Sequence, residues 1–251
     1  GSEVGRSAVI SDDKTHAKKI IFSPRLLPKH VFLDADLCLG LPASVTATTG
    51  WDAFTHLIEA FLAKGDHPMC DGIALEGLRL VKENLPAAVE FARANDRGQN
   101  LSHGQHEQHS DVREAMLNAA MMGAVAFQKG LGVNHSCAHA LSTVKDVHHG
   151  LANALMLQAC MRFNAATVPE KFDRIAQAMG LVDATKDGFF AWLNDTLKET
   201  SIPSNLEAIG VSLSDLNDLI EVALVDVCHP LGPRPVTRKD FEEIFREAMT
   251  Q

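Results

Sequence analysis

Two pairs of polar side chains interrupt apolar, helix-prone runs, and they constrain this chain more than any other feature. Asp52 and His56 stand four apart in Gly50-Trp51-Asp52-Ala53-Phe54-Thr55-His56. His135 and His139 repeat the spacing in Gly132-Val133-Asn134-His135-Ser136-Cys137-Ala138-His139. On a helix this spacing puts two side chains on one face, one turn apart. His56 runs into Leu57, Ile58, Ala60, Phe61 and Leu62, and His135 follows Ala124-Val125-Ala126-Phe127. A carboxylate and imidazoles in a helical core need partners. One divalent cation, which accepts both ligand types at about 2.0–2.2 Å, would satisfy them together. His148-His149-Gly150 adds a further imidazole just before a helix. A lone pair of this kind is more often a surface pair or a satisfied hydrogen bond. Spacing alone does not separate His135 from His139, nor His149 from His148.

The setting is helical from Pro42 onward. A helix is expected near residues 45–63 with Ser44 as its cap, and another over 69–94, where Ile73, Leu75, Leu78 and Val81 recur at helical spacing. Pro86 should kink or end part of it. Residues 95–110, with His103, His106 and His109, are polar and aperiodic and read as a solvated loop. Asp111 then caps a helix to about Lys129, closed by Gly130 and Gly132. Further helices are expected over 134–141, 149–164, 169–179, 189–199, 214–226 and 239–249. Pro169 suits a first helical position, and residues 230–235 form a Pro-rich connector.

Residues 1–42 differ. Runs 7–10, 19–22 and 30–33 are β-prone and separated by turn residues. Three short strands cannot form a core of their own, so they read as the tail of a sheet whose other strands lie elsewhere. Gly1-Ser2 fits either that tail or a cloning remnant.

The formal net charge of -9 argues against a nucleic-acid backbone or an anionic membrane surface as partner. The five cysteines fit neither a disulfide framework nor a Cys-x-x-Cys site, which suits free thiols in a reducing cytoplasm. No signal peptide is visible, and the most apolar run, near 151–161, is too short to span a bilayer. Histidine is the outlier, with 12 against 12 Phe, 2 Trp and no Tyr, and some of that excess needs an explanation.

Gly50-Trp51-Asp52-Ala53-Phe54-Thr55-His56-Leu57-Ile58-Glu59 resembles the Gly-x-Asp-Ala-x-x-His-x-x-Glu block of iron-containing (group III) alcohol dehydrogenases. Residues 130–141 resemble the family's second signature, and His149-Gly150-Leu151-Ala152-Asn153-Ala154 its His-Gly-x-x-Asn-Ala block. Gly1-Ser2-Glu3-Val4 is similar to the end of a Gly-Thr-Gly-Ser-Glu segment. Pro233-Arg234-Pro235 resembles an Asn-Pro-Arg-Pro motif, with Gly232 in place of the Asn. The blocks occur in order along nearly the whole chain.

The resemblance implies a mainly α fold. Residues 43–251 would be an all-helical, dehydroquinate synthase-like metal-binding catalytic domain. Residues 1–42 would be the last short strands of a truncated α/β nucleotide-binding domain, since no glycine-rich cofactor segment follows a strand here. It implies metal ligands Asp52, His56, His135 and His149. His139 would lie near the metal and the nicotinamide as a catalytic, cofactor-contacting residue rather than a ligand. The expected metal is Fe2+, with Zn2+ or another divalent ion compatible with the donors. The implied reaction interconverts an alcohol and an aldehyde or ketone by hydride transfer to or from NAD or NADP, with the metal polarising the substrate oxygen. His139 could relay the hydroxyl proton. The implied partner is a small alcohol or aldehyde in the cytoplasm, with homo-oligomers open to the full-length protein. Competing readings are a glycerol dehydrogenase or dehydroquinate synthase-like metalloenzyme, and a non-catalytic helical metal-binding module. Trp51, Phe54, Phe127 and Cys137 read either as lining of an apolar pocket or as plain core.

Overall fold

The helical expectation is met from Ala43 onward. A computed structural model describes residues 1–11, 13, 18–99 and 102–250. Nine α-helices occur among them: α1 Ala43–Leu62, α2 Pro68–Asp96, α3 His103–Ala126, α4 Val133–Lys145, α5 His149–Ala165, α6 Pro169–Ala178, α7 Lys186–Glu199, α8 Leu216–Leu224 and α9 Arg238–Thr250. None of the described helices is long and apolar enough to cross a membrane.

Helix α1 is the axis of the domain. From Gly50 to Leu62 nearly every residue is buried, which is the mark of a helix enclosed on all sides. It packs against α2, α3, α4 and α5. Trp51, Phe54, Leu57, Ile58 and Phe61 are buried, and each such side chain contributes roughly 1.5–3 kcal/mol on transfer from water. Pro86 neither ends nor breaks α2, which continues to Asp96. Buried Leu85, Ala88, Val89 and Ala92 extend its packing face across the proline, and that packing outweighs one lost backbone hydrogen bond.

The polar stretch read as a loop is largely helix. Ser102 caps α3 in a reciprocal box with Gln105, nine residues before the Asp111 cap expected above. His103 and His106 are exposed. His109 is buried, stacks on Phe91 at 5.1 Å and accepts a bond from Arg113 Nε at 3.1 Å. Polar residues formed a helix here because one turn is anchored on both neighbours, His109 on Phe91 of α2 and Arg113 on Thr46 of α1.

Of the three expected strands, two form. β1 Ser7–Ser11 and β2 Lys18–Phe22 pair antiparallel, with Ser7 opposite Phe22 and Ile10 opposite Lys19. Residues 30–33 are not a strand, and Phe32 is 91% exposed; β-propensity without a neighbouring strand leaves nothing to pair with. Ile10, Ile21, Leu26, Leu27 and Leu37 are exposed in the same region.

The Pro-rich connector precedes α9. Its Arg234 lies over the Phe163 ring at 4.0 Å and bonds to the Phe163 carbonyl. That motif fastens the connector to α5 rather than entering any site.

Candidate metal centre

Asp52 and His56 project from one face of α1, with His56 Nδ1 at 3.9 Å from Asp52 Oδ2. Two other helix starts must be brought to that face. The first is α4. Its cap position, Gly132, has no side chain to offer, and Glu59 of α1 supplies the missing acceptor. The Glu59 carboxylate receives the backbone N–H groups of Gly132 at 3.0 Å, Asn134 at 2.7 Å and His135 at 3.3 Å. A carboxylate at a helix N-terminus satisfies orphan donors and complements the helix dipole. A Cβ at residue 132 would stand 2.7 Å from Glu59 Oε1, so any side chain there would displace the carboxylate from the amides it holds. Glu59 Oε2 also lies 2.7 Å from His135 Nδ1, which fixes the ring.

The second is α5, whose first residue is His149. Gly150 lies directly against the Thr48 carbonyl of α1, and a Cβ would collide with that backbone. The close approach sets His149 Nε2 at 3.4 Å from Asp52 Oδ1. Asn153, one turn on, donates from Nδ2 to Asp52 Oδ1 at 2.6 Å and approaches His149 Nε2 at 3.1 Å. Asn134 Nδ2 donates to Asn153 Oδ1 at 2.9 Å and so ties α4 to α5.

The structure therefore brings Asp52, His56, His135 and His149 together, each offering one ligand atom within 4.8 Å of the others. The His56 and His135 rings stack at 4.8 Å, and His135 and His149 are 5.5 Å apart. His135 Nε2 is buried and has no hydrogen-bond partner. With Nδ1 held by Glu59, the lone pair falls on Nε2, the arrangement that a carboxylate behind a ligating histidine produces. A divalent cation fits this orphaned atom and its three neighbours. Burial, then the charges of His56 and His149, push the His135 imidazole well below its usual value, so it is neutral. Burial pushes the Asp52 carboxyl up, but His56, His149, His135 and Asn153 outweigh it and hold it below the usual range. A neutral imidazole and an ionised carboxylate are the forms a cation needs. Burial also raises Glu59 to about 7, against the pull of its three amide donors.

His139 faces another way. It lies outside the four-residue group, with its ring 5.4 Å from His149 and 5.9 Å from His135. Its Nδ1 is 2.8 Å from Asp226 Oδ2. Helix α8 stops at Leu224, before the expected end at 226, which leaves Asp226 in a connecting segment. Ser136 Oγ donates to Asp226 Oδ1 at 2.7 Å and the Cys228 N–H at 2.9 Å. Burial favours the protonated Asp226, but His139, Ser136 and the Cys228 amide hold its carboxyl well below the usual range.

His56, His135, His139 and His149 open onto one cavity of about 470 Å³, walled by Phe127, Leu131, Val227 and Leu231. Of the four residues read as pocket or core, only Phe127 lines it. Trp51, Phe54 and Cys137 are fully buried core. Trp51 Nε1 donates to Thr200 Oγ1 at 2.8 Å, on the α7 side. Sequence reasoning gave no role to Glu59, Asn153, Ser136, Asp226 or Cys228. A buried acid one turn after His56 was a signal for Glu59. Asp226 had none, since its partner is 87 residues away.

The sequence model of the Fe-containing alcohol dehydrogenase family, C-terminal, matches residues 46–249. The chain is 38% identical over 259 residues to a 4-hydroxybutyrate dehydrogenase of Cupriavidus necator, covering 99% of this chain and 63% of the relative. It is 36% identical over 255 residues to a 1,3-propanediol dehydrogenase of Citrobacter freundii, covering 98% and 62%. A crystal structure of 1,3-propanediol oxidoreductase superposes with a TM-score of 0.88 at 33% identity, covering 98% of this chain and 63% of that one. The chain thus spans just under two thirds of the length of these relatives.

Proposed function

The chain belongs to the Fe-containing alcohol dehydrogenase family, and from that premise we propose that it carries the metal centre of an enzyme interconverting an alcohol and an aldehyde or ketone, with NAD or NADP as hydride partner. Asp52, His56, His135 and His149 are the proposed ligands, and Fe2+ the proposed metal. One observation carries this: the buried, partnerless Nε2 of His135, beside an ionised carboxylate and two more imidazoles. When bound, the metal supplies Lewis acidity at the substrate oxygen.

The chain's own residues would do the rest. Phe127, Leu131, Val227 and Leu231 give the cavity an apolar wall beside the four histidines, where hydride would pass. Asp226 holds His139 Nδ1 and leaves Nε2 as the basic nitrogen. That nitrogen accepts the hydroxyl proton during oxidation and returns it during reduction, and the Asp226 carboxylate stabilises the imidazolium between. Relatives named for 4-hydroxybutyrate and 1,3-propanediol support a short linear alcohol as substrate. Residues 1–42 are read as the edge of a cofactor-binding α/β unit, and five free thiols support a cytoplasmic setting.

The test is elemental analysis together with turnover, followed by reduced-cofactor absorbance with Fe2+, NAD+ or NADP+ and short alcohols. One metal held by the Asp52 group is expected per chain, and the loss of that equivalent in His135→Ala. Full metal retention in that variant would remove His135 from the ligand set. Turnover that survives complete chelation would remove the metal from the reaction.

A further inference from the structure

Beside the Asp52 group lies a second set of donors, none of them shared with it. His139, Asp226 and Cys228 offer an imidazole nitrogen, a carboxylate oxygen and a sulfur, all within 4.8 Å of one another. As the side chains stand, two protons bridge them. One lies between His139 Nδ1 and Asp226 Oδ2, 2.8 Å apart. The other is on the Cys228 thiol, which also bonds to Asp226. The carboxylate is anchored independently, because Oδ1 receives Ser136 Oγ and the Cys228 N–H. Replacing the bridging protons would therefore leave Asp226 in position. His139 and Cys228 both line the cavity, which gives an arriving ion a path and an open coordination position.

The two donor sets differ in hardness and charge. The Asp52 group is all nitrogen and oxygen with one negative charge, so a dication there keeps a net positive charge. The His139 group has a carboxylate and a thiol, and a dication that draws off the thiol proton forms a neutral assembly. Sulfur selects soft or borderline ions. Burial, with Asp226 and Glu59 nearby, pushes the Cys228 thiol far above its ordinary value, so the thiolate forms only against a bound cation.

We propose that His139, Asp226 and Cys228 form a second metal site, taking thiophilic divalent ions such as Zn2+ or Cd2+ and switching off His139 as a proton acceptor. One proton balances the step. The cation bonds to sulfur, the thiol proton leaves to solvent, and the His139 proton passes from Nδ1 to Nε2 as Nδ1 becomes a ligand. Nε2 then has no lone pair to offer.

The test uses Co2+ alone, because thiolate ligation to Co2+ gives a near-ultraviolet charge-transfer band that nitrogen and oxygen donors do not. Anaerobic titration of the wild type should show two equivalents per chain, one of them accompanied by the band, and Zn2+ should erase the band. Cys228→Ser should keep one equivalent and lose the band, and Asp226→Asn should weaken it independently. His135→Ala should keep the band while losing the other equivalent. A wild type that binds without the band, or a band that persists in Cys228→Ser, overturns the second site. Two equivalents retained in His135→Ala would overturn the first ligand set and leave the second standing.

Discussion

Glu59 Oε2 stands 2.7 Å from His135 Nδ1, and the same carboxylate receives three backbone N–H groups from the first turn of α4. One side chain of α1 thus starts a neighbouring helix and aims the imidazole it carries. A Gln at this position keeps the shape but offers a single acceptor oxygen and turns N–H groups toward other donors. Glu59→Gln should cost about 1–3 kcal/mol through unsatisfied buried donors. It should also weaken metal binding by about 10–100-fold. Urea denaturation and competitive chelator titration measure the two effects, and unchanged values in both would remove Glu59 from its double role.

Asn153 tests orientation without the helix start. Its Nδ2 holds Asp52 Oδ1 at 2.6 Å. Asn153→Ala should lower metal affinity by about 10–100-fold while metal is still bound at saturation. Outright loss of metal at saturating concentration would show that Asn153 maintains the fold rather than orienting a ligand.

Gly150 sits inside a helix, where alanine ordinarily stabilises by about 0.8–1 kcal/mol. Here the added methyl meets the Thr48 backbone, which cannot rotate away. The expected sign is therefore reversed, with Gly150→Ala losing about 1–3 kcal/mol as α5 is pushed off α1. Metal affinity should fall too, because His149 moves with the helix. A higher denaturation midpoint would refute this packing.

Asp226 gives a pH signature. Its carboxyl is held below the ordinary range by His139, Ser136 and the Cys228 amide, in spite of burial. The stabilisation is therefore whole above the ordinary Asp value of about 3.9, and drains away as pH falls toward the lower folded-state value. The stability gap between wild type and Asp226→Asn should be widest near neutrality and shrink below about pH 4. A gap that stays constant across that range would mean the carboxylate's ionisation contributes nothing.

Most of α2 was legible because its apolar residues recur at helical spacing, and α1 through its expected start near Ser44 and the long apolar run that follows. The four clustered side chains were legible through motifs, and only partly through physics. Periodicity puts His135 and His139 on one face, yet the first points at Asp52 and the second at Asp226. What divides them is the carboxylate that holds each Nδ1, Glu59 of α1 for His135 and Asp226 for His139, and neither partner is adjacent in sequence. The start of α3 was missed because its first turns are polar, and what stabilises it there is a local cap and the buried His109. Residues 30–33 failed in the opposite sense, since a strand needs a partner that a local run of Val, Phe and Leu does not reveal.

The double duty of Glu59 has a consequence for segment exchange between relatives. A chimera that takes α4 from one parent and α1 from another separates an acid from the loop whose amides it was shaped to meet. Such hybrids should fold well only when residue 59 and residues 132–135 are inherited together, so this distant pair behaves as a single unit of recombination.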